Sequence, residues 1–407
     1  ITIRQTSFNS RDLSVKYDGY LSGSHSGQFS GEGQLSVSEF SLRQWLGASN
    51  LTVPVTMDLD RFGKVSMKSG IKVSNEMISL RPFTLVLDET SIDGRVDLGL
   101  QPLNIDLELL ADQLNIDQYL VNSKNRESNT SDQQSFIPFP LGTYKVDIGT
   151  LTVAEKLMTD VGVDLGVGTD EITLGRLDAK VFGGELRAAG TYLIAPQIFN
   201  ITGTVDSVQL SQLQFSKPLD TLSGSLQSSF DIRAAGRTSD EMLASITGPL
   251  RIKLQNALLG PLNVSDALCQ AVSGNTEVIA DSADTMTIAA EFQEGIAVIE
   301  SLKARVANLA IEGKGRISLV STASNIQGSI QIPTEGVSGS CTVPELLQGV
   351  SLPLSCRGQL RNETLKCSID EKALQSLITE ITAKQLEAKA PGKLKEAKAR
   401  LKSTVDD

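Results

Sequence analysis

The chain has 407 residues, a length that allows one large elongated domain or roughly two to four compact ones. Hydrophobic residues make up 40% of it and aromatic residues only 4%, and with 34 glycines this is an ordinary soluble-protein composition that excludes wholesale disorder. A net charge of −11, from 37 Lys and Arg against 48 Asp and Glu, argues against nucleic-acid binding through a general positive field. No stretch approaches the roughly 18 apolar residues of a membrane span. No signal peptide is visible either, so we expect any anchor or export signal to lie before Ile1.

Alternation of apolar and polar residues is the dominant pattern along the chain. In LNIDLEL, residues 103–109, the leucines and the isoleucine fall on one face of a strand, while Asn104, Asp106 and Glu108 fall on the other. Turn-forming stretches separate such runs at intervals of about ten residues, which is typical of an all-β architecture. The same alternation recurs in the runs 83–87, 92–100, 161–167, 250–254 and 326–332.

Helical signals are few. In chain order they are SEFSLRQWLGAS, where Ser38 is a possible N-cap, a short turn or helix entry in SVQLSQLQF, and NVSDALCQAVSG, where Ser265 is a possible N-cap. The clearest begins near Asp370, with apolar residues at three- and four-residue spacing, and a lysine-rich piece follows Pro391–Gly392. Residues 122–135, NSKNRESNTSDQQS, contain no apolar side chain and are predicted to be a disordered loop within one continuing architecture.

Alternation this extensive predicts a sheet with one large apolar face, which a soluble protein does not leave exposed. The sheet must pack on a second sheet, close into a barrel or helix, or curl into a trough whose lining something else covers. An ordinary sandwich core explains the alternation equally well. The shortage of covering helices and the small number of aromatic residues favour an aliphatic groove over a sugar-binding cleft.

Catalytic chemistry has few candidates in this sequence. His25 is the only histidine, and it lies in the turn-rich stretch YLSGSHSGQFSGEG, where we expect a solvated loop. The cysteines lack CxxC spacing, and neither a Walker loop nor a Rossmann fingerprint is present. We therefore predict that the protein is not an enzyme and needs no metal or cofactor, although a carboxylate-pair hydrolase on a β-helix scaffold stays open because acidic residues are plentiful.

Several long segments resemble the AsmA family. LNIDLELLADQLNIDQYL is similar to that family's unit of a strand followed by D-x-L-x-I-D-x-Y-L. Two further segments follow its pattern, one from YKVDIGTLTVAEKLMTD to GGELRAAGTYL and one from LSGSLQSSFDIRAAGRTSDEM to GPLNVSDAL. TMTIAAEFQEGIAVIESLKARVANLAIEGKGRISL looks like its C-terminal region, so the resemblance covers nearly all of residues 75–370.

The resemblance implies a mainly β fold, an elongated and curled antiparallel sheet that forms a groove similar to the repeating β-groove of bridge-like lipid-transfer proteins. It implies a periplasmic protein that is anchored to the inner membrane by a segment outside this chain. The expected function is phospholipid transport between inner and outer membranes in support of outer-membrane integrity, with acyl chains as the ligand. The residues expected to line the lipid-binding groove are Phe83, Leu85, Leu87, Leu103, Ile105, Leu107, Leu109, Val161, Val163, Leu165, Val167, Leu250, Ile252 and Leu254.

The organisation that follows is a β-groove segment over 1–121, a loop over 122–135, an AsmA-like β-groove region over 136–369 and an amphipathic, basic helix over 370–407. Seven basic residues between Lys384 and Lys402 suggest attraction to anionic head groups or to a periplasmic partner, although a solvated helix end explains them equally well.

All four cysteines lie in the last third of the chain: Cys269, Cys341, Cys356 and Cys367. In the oxidising compartment that the resemblance implies, an even number suggests two disulfides, for which three connectivities are possible. A hairpin that turns at Arg361–Asn362 would place Cys356 opposite Cys367, which favours Cys356–Cys367 together with Cys269–Cys341. Four buried reduced thiols are the alternative.

Three functions remain to be separated. A lipid conduit predicts lipid that copurifies with the protein and is lost when lining residues become charged. A scaffold or assembly factor for outer-membrane proteins predicts a filled apolar core and a protein partner. An enzyme on a β-scaffold predicts a cleft with clustered carboxylates.

Overall fold

The computed structural model describes residues 2–24, 27–120, 140–213, 222–258, 268–269, 282–306, 308–334, 345–359, 365–369 and 371–389. His25, the predicted loop 122–135, Ser265, Cys341 and the basic residues after Lys389 lie outside the described residues. The structure is mainly β with a few short helices, which confirms the predicted fold class. The chain divides into two compact units, Ile1–Val208 and Gln209–Asp407, hereafter the first and second units.

The first unit is a sheet of twelve described strands in chain order. Its strands are β1 (Thr2–Ser10), β2 (Leu13–Gly23), β3 (Phe29–Phe40), β4 (Val65–Ser74), β5 (Met77–Leu87), β6 (Thr90–Leu100), β7 (Leu103–Asn115), β8 (Leu141–Val153), β9 (Lys156–Val167), β10 (Glu171–Val181), β11 (Gly184–Leu193) and β12 (Ile198–Gln209). Each strand pairs with the next. Among the described pairings, none joins β1 to β12, so this sheet does not close on itself.

All but one of these pairings are antiparallel, and the exception is the parallel pairing of β7 with β8. Adjacent antiparallel strands need only a short turn, whereas parallel neighbours need a connection of a dozen or more residues that returns to the starting edge. The segment 116–140 between β7 and β8 provides that length. The strands on either side of the predicted loop 122–135 are therefore direct neighbours in one sheet.

Interruptions in the register bend the first unit's strands. Register shifts occur between Leu80 and Phe83 in β5, where Pro82 cannot donate to the ladder, and between Leu174 and Leu177 in β10. Such bulges increase the local twist and curvature of a sheet. At Gly94, opposite the bulge in β5, a Cβ atom would overlap with the carbonyl oxygen of Glu108, so only glycine fits.

Two helical segments lie at the same ends of the first unit's strands. Helix α1 (Leu42–Ala48) follows β3, and a 3-10 helix (Ile116–Gln118) follows β7. The predicted N-cap of α1, Ser38, is wrong: β3 continues to Phe40, which pairs with Val65. The cap is Ser41, whose hydroxyl accepts a hydrogen bond of 3.2 Å from the Gln44 N–H.

The second unit contains eight described strands, two helices and two 3-10 helices. They are β13 (Ser225–Ala235), α2 (Ser239–Ser245), β14 (Gly248–Leu258), β15 (Ser282–Gln293), β16 (Ile296–Val306), β17 (Leu309–Ser318), β18 (Ala323–Gln331), β19 (Ser351–Gln359), β20 (Lys366–Ile369) and α3 (Glu371–Lys389), with 3-10 helices at Leu210–Gln212 and Glu345–Leu347. From β13 to β20 every strand pairs antiparallel with the next.

A disulfide joins the last two strands of the second unit. Cys356 of β19 and Cys367 of β20 are paired in register and bonded to each other, as the hairpin prediction required. Cys269 is also disulfide-bonded, while its predicted partner Cys341 lies outside the described residues. None of the described cysteines is a free thiol.

Candidate functional site

One face of the first unit's sheet is apolar from strand to strand. Residues that are paired across neighbouring strands project from the same face, so the register shows which side chains share it. One row across this apolar face consists of Met67, Leu85, Ile92, Ala111, Ile148 and Val161. A second consists of Val96, Leu107, Tyr144, Leu165 and Leu174. A third consists of Ile78, Leu98, Ile105, Gly142, Val167 and Ile172.

The register places all eleven predicted groove residues of the first unit on this apolar face. They are Phe83, Leu85, Leu87, Leu103, Ile105, Leu107, Leu109, Val161, Val163, Leu165 and Val167. Most of them are half-buried, which means that neighbouring side chains shield them but no second layer covers them completely. In a sandwich core of this extent, most of them would be fully buried.

Coverage of the apolar face differs between the two ends of the strands. At the end where β7 and β8 finish and β9 begins, Ala111, Ile148 and Val161 are 4%, 8% and 3% exposed. At the other end, Phe29 and Leu103 are 42% and 57% exposed. We call the first end the closed rim and the second the open rim.

The closed rim is filled by a small apolar cluster. Its buried members are Ala111, Ile148, Leu151, Val161 and Ala179, and half-buried residues including Leu114, Ile116, Val153 and Met158 pack against them. Ile116 belongs to the 3-10 helix that follows β7, so the chain turns across the end of the sheet at this point.

A polar network holds this turn in place, and Asp88 is at its centre. One oxygen of the Asp88 carboxylate accepts hydrogen bonds from the Gly63 and Lys64 N–H groups at 2.9 and 3.1 Å. The other accepts from the Phe62 N–H at 2.9 Å and from the Tyr119 hydroxyl at 2.8 Å. Asp88 thereby joins the β5–β6 turn, the loop before β4 and the segment after β7.

The protonation states of Asp88 and Tyr119 follow from their surroundings. Burial raises the pKa of Asp88, but the backbone donors and the Tyr119 hydroxyl outweigh that effect and hold the pKa below its usual range. Burial, together with the neighbouring carboxylate, raises the pKa of Tyr119 to about 12. At neutral pH the carboxylate is therefore ionised and the phenol is protonated, which are the states that the hydrogen bond needs.

Arg61 extends the network around Asp88. Its guanidinium forms ion pairs with Asp58, at 2.8 Å, and with Glu89 of the β5–β6 turn. Burial lowers the pKa of Arg61, but the two carboxylates more than offset this and hold it above its usual value. The side chain of Arg61 is 12% exposed, so its charge is largely removed from water and balanced by protein.

Asp117 anchors the same turn to the next hairpin. Its two carboxylate oxygens accept hydrogen bonds of 2.7 Å from the Ala154 and Glu155 N–H groups. Ala154 and Glu155 form the β8–β9 turn with φ values of 50° and 61°, a left-handed conformation that is unfavourable for residues with a side chain. The carboxylate thus stabilises a strained turn and fixes the 3-10 helix against it.

The opposite face of the first unit is polar. Arg176 donates to Asp147 and Asp164, each at 2.9 Å, and Arg95 donates to Glu108 at 2.9 Å. The hydrogen bond from Arg176 lowers the pKa of Asp164. These pairs are partly exposed, so each contributes little stability, but together they keep this face in water.

The apolar face of the second unit is covered far more completely. Its buried cluster includes Leu254, Met286, Ile311, Ile330 and Leu352, which lie on the sheet. Further members come from segments that cover the sheet, namely Leu268, Leu347 and Leu374 of α3. Among the predicted groove residues of this unit, Leu254 is 8% exposed within the cluster, while Leu250 and Ile252 are half-buried.

The sequence analysis did not identify the closed rim. Asp117 and Tyr119 do lie in the segment NIDQYL, which was recognised only as part of a family pattern. Their partners are 37 and 31 residues away in the chain, at Ala154 and Asp88, so no local pattern connects them. The available signal for this rim was the presence of polar residues that interrupt the apolar pattern at the end of a predicted strand.

The described residues contain neither a cluster of potential metal ligands nor a membrane-spanning helix. Among them, no group of three or more His, Cys, Asp or Glu side chains could hold a metal ion. No helix in the part of the chain that the structure describes is long and apolar enough to cross a membrane.

Comparison with known proteins agrees with the sequence resemblance. The model of the AsmA family matches residues 143–308, which run from β8 into β17. No curated protein and no solved structure matches the chain. A match to this typically envelope-associated family is consistent with lipid transport or membrane biogenesis. The match over residues 143–308 therefore supports the resemblance to the AsmA family that the sequence showed.

Proposed function

We propose that the apolar face of the first unit binds the acyl chains of phospholipids, and that the protein carries them across the periplasm between the inner and outer membranes. The proposal includes attachment to the inner membrane by a segment outside this chain, a contribution to outer-membrane integrity, and no catalytic step. The observation that carries it is the set of apolar rows between the closed-rim cluster and the open rim, which are mostly half-buried and over which the described part of the chain places no second layer.

The energetics favour a hydrocarbon ligand on this face. Each methylene group that leaves water for an apolar surface contributes about 0.8 kcal/mol, so ten buried methylenes of an acyl chain contribute about 8 kcal/mol. Neighbouring rows offer similar Leu, Ile and Val side chains, so a bound chain meets similar surfaces at successive strands. Head groups stay in water, which avoids the cost of burying a phosphate.

The test compares two adjacent leucines on opposite faces of β7. Leu109 is half-buried on the apolar face, and Leu110 is 60% exposed on the other. Wild type, Leu109→Asp and Leu110→Asp are each purified from cells, and their organic extracts are compared by mass spectrometry. We expect phospholipid in wild type and Leu110→Asp, and much less in Leu109→Asp.

Circular dichroism of the three proteins checks that Leu109→Asp is folded. If it is not, a photo-crosslinking residue at Leu107 or Val163 replaces the substitution and reports lipid adducts directly. Absence of phospholipid from wild type, with no adducts at either position, contradicts the proposal.

A second function is favoured by one observation, the covered apolar face of the second unit. A scaffold or assembly factor for outer-membrane proteins needs a filled core and a protein partner. It predicts no copurifying lipid and a crosslinked outer-membrane protein in place of lipid adducts.

A further inference from the structure

The two rims of the first unit offer different environments to a bound lipid. Resting on the proposed function, we propose that phospholipid lies along the strands with the methyl ends of its acyl chains at the closed rim and its head group at the open rim. Lipid then enters and leaves this unit across the open rim.

Burial along β7 shows the direction most directly. Ala111 is 4% exposed, Ile105 is half-buried and Leu103 is 57% exposed, so water is excluded progressively from the open rim to the closed rim. On β9 the same direction runs from Val167, which is half-buried, to Val161, which is 3% exposed. A methyl end gains most where water is absent, and a head group loses least where water is present.

The two carboxylates that hold the closed rim already have protein donors. The Asp88 carboxylate accepts four hydrogen bonds and Asp117 accepts two, all from protein donors. Of the two half-buried arginines at this rim, Arg61 is balanced by Asp58 and Glu89, and Arg43 donates to the Arg61 carbonyl and the Thr56 hydroxyl. A phosphate placed here would have to compete with carboxylates for these donors.

The open rim carries polar residues that stand in water. Its turns include Asn75 and Glu76 between β4 and β5, Gln101 between β6 and β7, and Asp170 between β9 and β10, all of which are exposed. A head group at this end keeps its hydration while the chains behind it contact apolar side chains. The charged members of these turns, Glu76 and Asp170, stay in water when lipid binds.

The apolar face is slightly longer along β7 than the hydrocarbon of one bilayer leaflet. From Ala111 to Ile105 the extended backbone spans about 20 Å at about 3.4 Å per residue. One leaflet of a bilayer is about 15 Å of hydrocarbon, half of the core thickness. A chain with its methyl end at Ala111 therefore reaches the row of Leu107, about 14 Å away, so its ester lies between that row and the open rim.

Fluorescence quenching by brominated phosphatidylcholine tests the direction. Trp45 is the only tryptophan, and its indole N–H is buried without a hydrogen-bond partner, so Trp45→Phe removes the background without breaking a hydrogen bond. Into this background are placed Leu109→Trp, near the closed rim, and Ile105→Trp, near the open rim. Leu110→Trp, on the polar face, is the matched control.

Each protein is loaded with lipid that carries bromine either close to the chain end or close to the ester. We expect Leu109→Trp to be quenched more by chain-end bromine and Ile105→Trp more by ester-proximal bromine, with Leu110→Trp unquenched by both. If either variant fails to fold, Val163→Trp and Val167→Trp on β9 form an equivalent pair.

The outcomes separate the two proposals. Equal quenching of both positions by both lipids, or the reverse order, overturns the direction but leaves lipid binding intact. No quenching at either lining position overturns the lipid-binding function itself.

Discussion

Replacing Asp88 by asparagine tests whether the polar network holds the closed rim. Asparagine has nearly the shape of aspartate but keeps one acceptor oxygen and gains an NH2 group. That group would face the Phe62 N–H and the Tyr119 hydroxyl, two of the four donors that Asp88 satisfies. The substitution therefore weakens two contacts, because the Phe62 N–H loses its acceptor and the Tyr119 hydroxyl must accept instead of donate, and it removes the charge that strengthens the other two.

The expected loss follows from these contacts. A hydrogen bond to a charged group contributes about 1.5–3 kcal/mol, and because Asp88 is only half-buried we take the lower value for each of the two. The first unit should lose about 3 kcal/mol of unfolding free energy. With a urea dependence of about 2–3 kcal/mol per molar, the unfolding midpoint falls by about 1 M.

Urea unfolding followed by Trp45 fluorescence measures this loss, since the only tryptophan lies in α1 of the first unit. The control is Asp60→Asn, an exposed carboxylate in the loop before β4. We expect Asp60→Asn to unfold like wild type. The role assigned to Asp88 is refuted if the urea unfolding curve of Asp88→Asn superimposes on that of wild type, or if Asp60→Asn shifts the midpoint equally.

Three further predictions concern titration and the second unit. The folded-state pKa of Asp88 is depressed, so its carboxylate stabilises the fold above the unfolded pKa of about 3.9, and this stabilisation is lost as pH falls through the folded value. The difference in urea midpoint between wild type and Asp88→Asn should therefore shrink from pH 7 to pH 3. An unchanged difference would contradict this. The double substitution Cys356→Ser and Cys367→Ser removes a disulfide that spans 11 residues, and it should lower the unfolding free energy of the second unit by about 3 kcal/mol. Calorimetry measures this loss, and an unshifted transition would show that the bond does not stabilise the hairpin. Leu374→Ala, at a side chain 6% exposed against the second unit's cluster, should cost about 2–5 kcal/mol in calorimetric unfolding. The control is Gln375→Ala at an exposed position of the same helix, which should not shift the transition.

The parts of this fold that depend on local pattern could be predicted from the sequence. Alternation in 103–109 identified β7 and its apolar face because side chains on a strand project to opposite sides with a period of two. The Cys356–Cys367 pairing followed from a short hairpin, where the turn position fixes the register. Both inferences use residues close together in the chain.

What depends on distant contacts could not be predicted. The parallel pairing of β7 with β8 leaves no trace in either strand, because both alternate as antiparallel strands do. Ser38 and Ser41 both suit an N-cap, and the choice between them depends on how far β3 pairs with β4. The network of Asp88, Tyr119 and Asp117 joins four separate segments, so it exists only in the folded sheet.

Successive antiparallel strands of the first unit run in opposite directions, and this constrains how strands can be added to or removed from such a sheet. A hairpin added to an antiparallel series returns the chain to the end from which it left, so both faces and both rims keep their identity. Such a sheet can therefore grow or shrink two strands at a time, by about 10 Å per step, without redesign of its neighbours. A single extra strand would exchange the two rims for everything that follows, unless a long return such as 116–140 restores the direction.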